Sequence, residues 1–475
     1  MFDSPTDAEL IDLIGEESRE ECAAMGRRLD LIGELFARRE QQLLEARFFA
    51  TDAHVATAAE ISPIQNISYH RALSQVTTAA TLRQRLPRVG KVLRSGLIDY
   101  RMLAAIIART ENVEDDVIAR VDAALAASVT RWMKLSEPKL RDRIDRIVAS
   151  VDPAAVRIPP KVDECRHLDI YPSDTAGMAW INGHIRAEDG AALSQRLDAL
   201  AATVCQHDPR TKEQRRADAS GALARGQAAL VCRCGREDCP AAAVRADAAS
   251  AVIHLLAEQA TVEGTSDTPG YLPGFGVLPA ESVRSIAETA DLKPLTAPRA
   301  DGAADAGYRP SATLKEFVQW RDLTCRWPGC DKPARTSDID HTTPWPYGPT
   351  HPSNTKCYCR IHHLVKTFVP GWSEQQLPDG TVLLTSPTGH LYRCEAHGAA
   401  MYPTLAQPTG ELNLPPHTLD PDTDRTALIP RRTQTRDQDR RDRITAERRQ
   451  RLELDAEHER QYQAWLAATY EPPPF

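Results

Sequence analysis

The chain has 475 residues, 42% hydrophobic and 26% charged, with a formal net charge of -8. That length can bury a real core and has room for about two to three domains, while no stretch approaches the ~20 uninterrupted apolar residues of a membrane helix. Eight acidic residues precede Cys22 where a secretory leader would be basic and then apolar, and the eleven cysteines are odd in number and scattered, so reduced thiols and metal sites in a cytoplasmic protein are expected rather than a disulfide framework.

Ser4-Pro5-Thr6-Asp7 offers a helix N-cap, and Cys22, Met25, Leu29, Ile32 and Phe36 then recur at steps of three and four. That spacing predicts one apolar stripe on a long helix, buried as core or as a seam between helices. Periodic Ala- and Leu-rich segments continue to about Val148, broken at Ser62-Pro63, Pro87, Gly90 and Gly96, which predicts a helical domain. Between residues 71 and 109, eight Lys or Arg (Arg71, Arg83, Arg85, Arg88, Lys91, Arg94, Arg101, Arg109) stand against Asp99 alone. Such a face can track phosphates, or it can be a solvated helix pair whose acidic partners lie elsewhere. Cys165 to Tyr171 reads as a strand and Gly190 to Val204 as another amphipathic helix. The stretch Pro294 to Pro310 is rich in Gly, Pro and Ala without periodicity and reads as a linker. Residues 415–430 are rich in Pro and Thr. Residues 431–451 carry nine Arg against four acidic residues, and 452–475 reverse the sign, a pattern of an exposed helix or disordered arm.

The expected fold class is α+β, mainly α. A helical domain over 1–293 is followed by a linker over 294–308, a small module with a trailing hairpin over 309–398, and a Pro-rich then charged tail over 399–475.

The chemistry concentrates between residues 321 and 366. Cys325 and Cys330 flank a Pro-Gly turn, while Cys359 and His362 lie one helical turn apart, so a tetrahedral zinc would tie a hairpin to a helix. A unit of ~60 residues with few large apolar side chains needs such a staple. Asp340, His341, Asn354 and His363 form a second set. Adjacent strand residues point to opposite faces, so Asp340 and His341 serve different functions. Asp340 and His363 supply oxygen and nitrogen suited to Mg²⁺, Mn²⁺, Ni²⁺ or Zn²⁺, which leaves His341 as a general base.

In this order the residues resemble the HNH endonucleases, whose ββα-metal fold carries an Asp-His or His-His pair on its first strand, an Asn in the loop and a metal-binding His on the helix. The resemblance implies a DNA endonuclease in which His341 deprotonates water, Asp340 and His363 hold one catalytic divalent cation, Asn354 braces the loop and orients His341, and Lys366 contacts phosphate. Asp338, on the Asp340 face, is implied as a supporting carboxylate. Structural zinc falls to Cys325, Cys330, Cys359 and His362. The quartet ends in His where many relatives have Cys, Cys357 competes with Cys359 as ligand, and the roles of His362 and His363 can be exchanged. DNA is the implied partner, with neither a membrane nor a small-molecule substrate; oligomeric state is left open. The alternative is a non-catalytic DNA-binding protein of mobile-element origin that keeps the HNH fold, and a weaker one is a zinc-stabilised interaction protein.

A narrower resemblance rests on Arg215-Arg216-Ala217-Asp218-Ala219, Val252-Ile253-His254 and Gly276-Val277-Leu278-Pro279-Ala280-Glu281 ahead of the module. It is to an actinobacterial family, abundant in mycobacteria as repeated elements, whose N-terminal part is called domain of unknown function 222. Finally, Cys232, Cys234 and Cys239 can bind zinc with Cys205, His207 or His254 as fourth ligand, or form a reduced surface loop.

Overall fold

A computed structural model of the chain describes residues 5–133, 135–158, 166–185, 187–239, 254–273, 276–288, 290–299, 302–412 and 429–469. The expected strand over 165–171 is described from Arg166 onward, while Val252 and Ile253 lie outside the described residues. The protein is mainly helical with small antiparallel sheets. It divides into two compact units, one made of Met1–Pro159 with Leu295–Phe475 and the other of Pro160–Pro294. The division differs from a helical domain running to 293. The first 159 residues share a core with the C-terminal part of the chain, and the intervening segment folds by itself.

The first unit begins with α1 (Asp7–Gln42), entered through a capping box in which Thr6 and Glu9 satisfy each other's backbone amides. Helices α2 (Ala53–Gln65), α3 (Tyr69–Gln84), α4 (Pro87–Arg94), α5 (Tyr100–Thr110), α6 (Ile118–Ser128) and α7 (Glu137–Val151) follow. Of the four breaks read from the sequence, Pro87 opens α4 and Gly96, at φ 70°, lies just beyond its end, whereas Ser62-Pro63 lies within the last turns of α2 and Gly90 within α4. On α1 the predicted stripe is buried at Leu29, Ile32 and Phe36, with Cys22 and Met25 at its half-buried margin. Gly26 is required there, because a Cβ would stand 2.8 Å from the Arg94 backbone of α4.

The basic face between residues 71 and 109 is largely neutralised within the bundle. Arg83 pairs with Glu34, Arg85 with Asp115, Arg94 with Asp30, Arg101 with Asp99 and Arg109 with Asp145. The acidic partners lie mostly on other helices, which is the second of the two readings offered by the charge pattern.

The second unit holds the hairpin β1 (His167–Pro172) and β2 (Ala179–His184), then α8 (Ala187–Ala201), α9 (Lys212–Ala224), α10 (Gln259–Val262), the short pair β3 (Gly270–Leu272) and β4 (Gly276–Leu278), and α11 (Ala280–Ala287).

The chain then completes the first unit with α12 (Ala312–Asp322), β5 (Asp338–His341), β6 (Thr355–Tyr358) and α13 (Arg360–Phe368). A three-stranded sheet of β7 (Ser373–Gln376), β8 (Val382–Thr385) and β9 (Leu391–Cys394) trails it, where the sequence suggested a hairpin. The small module does not fold around a private core. Cys325, Trp327, Tyr358, Val365, Val369, Trp372, Val382 and Leu384 belong to the same buried cluster as Leu29, Phe36, Ala59, Val76 and Leu103 of the helical bundle. Each large apolar side chain buried in that junction contributes about 1.5–3 kcal/mol. The stretch read as a linker also ends on the module: the Asp305 amide donates to the Thr350 carbonyl at 2.9 Å.

After α14 (His397–Met401) the chain returns to the bundle. The Arg432 amide donates to the Phe48 carbonyl at 2.7 Å, and the Ala50 amide to the Pro430 carbonyl at 2.9 Å. Helix α15 (Arg436–Thr469) is mostly exposed, as its composition implied, with Ile444 buried. Three of its arginines pair with acidic residues of the bundle: Arg440 with Asp115, Arg443 with Glu111, and Arg448 with Asp152 and Glu114. Asp52 is the hinge of this return, accepting from the Val55 amide at 3.1 Å as the N-cap of α2 and from Arg436 Nε at 2.5 Å. We predict that Asp52→Ala lowers the unfolding free energy of the first unit by about 1–2 kcal/mol in urea titrations. Asp52→Asn, which keeps the cap, should cost less. Equal losses in the two variants would remove the capping contribution.

Candidate functional site

Strands β5 and β6 pair antiparallel with Asp340 opposite Lys356 and His341 opposite Thr355, and α13 crosses against both. Two clusters of polar side chains grow from this frame.

The first is the predicted quartet. A turn closed by the Cys330 amide on the Trp327 carbonyl, 3.0 Å, presents Cys325 and Cys330, with Gly329 at φ 73°. Cys359 is the N-cap of α13 and His362 sits one turn further. The ligand atoms of Cys325, Cys330, Cys359 and His362 all lie within 4.8 Å of one another, so the four can hold a metal such as zinc. His362 aims Nδ1 at the group, 3.5 Å from Cys325 Sγ and 3.3 Å from Cys359 Sγ. Burial pushes the Cys325 thiol well up, whereas the Cys325 and Cys330 thiols hold Cys359 far below its ordinary value. Cys357 is buried with its Sγ 3.9 Å from the Val318 carbonyl, outside the quartet. The His362 ring stacks on Trp327 at 4.7 Å and meets the edge of Tyr69 from α3 at 5.4 Å.

The second cluster holds the other predicted residues. His363 Nδ1 lies 2.8 Å from Asp338 Oδ2, and its Nε2 lies 3.4 Å from Asp340 Oδ1. Period-2 alternation puts both carboxylates on the strand face that α13 covers. Burial would lower His363, but Asp340 and Asp338 reverse this and raise it. Burial would raise Asp340, yet the Lys366 and Lys356 ammonium groups hold it well below the usual carboxylate range.

Lys366 departs from its expected role as a phosphate contact. Its Nζ turns inward and donates to Asp340 at 2.9 Å and to the His341 carbonyl at 2.6 Å, because a buried carboxylate outbids solvent for the ammonium. Glu374 of β7 closes the group, accepting from Lys356 at 2.6 Å and from the Tyr358 hydroxyl at 2.9 Å. Three carboxylates, Asp338, Asp340 and Glu374, stand against the Lys356 and Lys366 ammoniums and the Arg360 guanidinium, which lies 3.3 Å from Asp338 Oδ2.

His341 is 4% exposed, and burial lowers its pKa. Its Nε2 lies 2.9 Å from Thr350 Oγ1, which is 2.6 Å from the Gly307 carbonyl. A hydroxyl has one proton, so donation to Gly307 requires Thr350 to accept from Nε2–H, and His341 then carries its lone pair on Nδ1. Tyr308 stacks on the ring at 5.3 Å. Asn354 braces the loop between the strands: its side chain accepts from the Thr343 amide at 2.8 Å and donates to the Thr343 and Pro349 carbonyls at 3.0 and 2.9 Å. It acts on His341 through the loop that carries Thr350.

Sequence reasoning missed Lys356, Glu374, Thr350 and Tyr308. Lys356 could have been found from the strand register opposite Asp340. The other three arrive from the loop, from β7 and from the segment before α12, with no local signal.

A family model described as "Domain of unknown function (DUF222)" matches residues 16–322. The chain belongs to this family. The match runs past the expected domain end at 293: it covers residues 16–159 of the first unit, the second unit, and the chain on to the end of α12. Relatives of similar length exist in Mycobacterium tuberculosis: the uncharacterized protein Rv3776 is 40% identical over 468 residues, 93% of this chain and 90% of that one. The uncharacterized protein Rv2100 is 39% identical over 485 residues, 93% of this chain and 87% of that one. No solved structure matches the chain.

Two outcomes test the clusters. Cys359→Ser should release one equivalent of metal and lower the melting temperature of the whole first unit, since quartet and bundle share a core; wild-type metal content and melting would exclude a metal-bearing quartet. Lys366→Ala should cost about 3 kcal/mol in urea unfolding, as expected when one partner of a buried charge group is removed. A loss below about 0.5 kcal/mol, typical of exposed pairs, would mean that the cluster does not secure the module.

Proposed function

We propose that the first unit is a metal-dependent endonuclease of the HNH type, hydrolysing DNA phosphodiester bonds, with a structural zinc in the Cys325, Cys330, Cys359, His362 quartet. The single observation that carries this reading is the convergence of Asp340, His341, Asn354 and His363 on one ββα frame, with His363 held by Asp338 and His341 held by Thr350. A module that needed only its zinc quartet would have no use for a second buried polar set.

The residues fit a cation. Asp340 Oδ1 and His363 Nε2 face each other at 3.4 Å, and two ligands bound at 2.0–2.2 Å to one ion stand about 3–3.5 Å apart. Asp338 supplies the outer carboxylate that fixes the imidazole of a metal-binding His. When bound, a divalent ion (Mg²⁺, Mn²⁺, Ni²⁺ or Zn²⁺) would neutralise charge on the scissile phosphate and the leaving 3′ oxygen. His341, kept neutral by burial and with Nδ1 as its acceptor, takes a proton from water; the water oxygen bonds to phosphorus as the bond to the 3′ oxygen breaks. Asn354 keeps the loop and therefore Thr350 in place.

A second reading has its own support. Both ammonium groups on Asp340 already neutralise it. A DNA-binding protein that retains the fold without turnover would show an Asp340 occupied in this way. Plasmid nicking separates the two. Wild-type protein should nick with Mg²⁺ or Mn²⁺ and not with EDTA, and His341→Ala should lose at least about 100-fold in rate while still retarding DNA in a gel. Retardation without nicking under every cation would favour the second reading.

A further inference from the structure

We propose that the second unit carries its own structural zinc, held by the four thiolates of Cys205, Cys232, Cys234 and Cys239. Their sulfur atoms lie within 4.8 Å of one another, with Cys205 and Cys232 at 3.6 Å. Four sulfurs arranged tetrahedrally at ~2.3 Å from zinc stand about 3.8 Å apart, so the group is close to the required size before any ion is added. His207 and His254, the other candidates for a fourth ligand, are not among the four.

The surroundings are built for a metal in three ways. First, the segments bearing the cysteines are locked independently. The Asp208 carboxylate, fully buried at its side chain, accepts from the Arg233 amide at 2.9 Å and from Arg210 at 2.9 and 2.8 Å, and Arg210 continues to the Val231 carbonyl at 2.6 Å. This joins the turn after Cys205 to the segment entering Cys232. Second, Gly235, at φ 67°, makes the turn immediately after Cys234, between two of the four thiols. Third, Arg236 pairs with Asp238 at 3.0 and 2.9 Å, which ties down the loop between Cys234 and Cys239.

The need for the ion follows from the packing. The apolar cluster beside it consists of Val204, Ala222 and Leu230 with Cys232 against them, too little to hold the loop from Gln227 to Cys239 on α8 and α9. All four positions are protein thiolates, with none open for substrate or water, which marks a structural and not a catalytic ion. The two quartets lie in different compact units, so each should keep its metal when the other is broken.

The test is metal content of the full chain, purified under reducing conditions. Two zinc per chain are expected for the wild type. One should remain in Cys232→Ser/Cys234→Ser and one in Cys359→Ser, and X-ray absorption of the latter should report four sulfur neighbours at ~2.3 Å. If Cys359→Ser is insoluble, the wild-type spectrum carries the same information, with seven sulfurs to one nitrogen over two ions. The proposal is overturned by a single zinc in the wild type that the double variant retains, by a Cys205–Cys232 disulfide in the intact mass, or by a visible charge-transfer band from iron. Loss of nicking activity has no bearing on these readouts, so this inference stands apart from the nuclease reading.

Discussion

The His362 ring is the point on which the first unit turns. One edge faces the Cys325 and Cys359 sulfurs, one face lies on Trp327, and Tyr69 meets the ring at right angles from the helical bundle. Whatever holds Nδ1 in place therefore also fixes Trp327 and the helix that carries His362, and through Tyr69 the position of the module on α3. Gly329 adds to the same junction, since a Cβ there would stand 3.0 Å from the Ile67 carbonyl. A small ββα unit that could not bury its own core becomes stable by sharing one.

Charge is distributed by the same logic. The chain has 58 basic residues, yet many near the candidate site or on the helices are used internally. Arg321 donates to Asp322, to the Pro352 carbonyl and to the Thr355 carbonyl while 1% exposed, and Asp322 accepts the Cys357 amide at 2.7 Å. Burying a guanidinium is tolerable only with this degree of pairing. It also means that a count of Lys and Arg along the sequence overstates the field at the surface, and that any nucleic acid would meet Arg309, Lys315, Lys332, Arg335 and Arg360 rather than nine cations.

Several features were legible beforehand because they depend on short-range geometry. The helical breaks at Pro87 and Gly96, the stripe on α1 and the i, i+3 spacing of Cys359 and His362 follow from backbone sterics and helical period. The same period separated His362 from His363 by one step of about 100°, and in the structure they do serve different clusters. Which of Cys357 and Cys359 joins the quartet was not legible, because it depends on where β6 stops and α13 begins.

The sequence by itself determined the residue types, their local periodicity and the ligand spacing, since these are set within one or two turns of chain. Only the tertiary structure decided that the basic helices meet acidic partners, that Lys356, Lys366 and Glu374 close around Asp340, and that residues 1–159 and 295–475 form one unit. Each of these requires groups distant in sequence to approach within a few ångströms. Burial then settles their protonation and pairing, because an unpaired charge in a low-dielectric interior costs several kcal/mol.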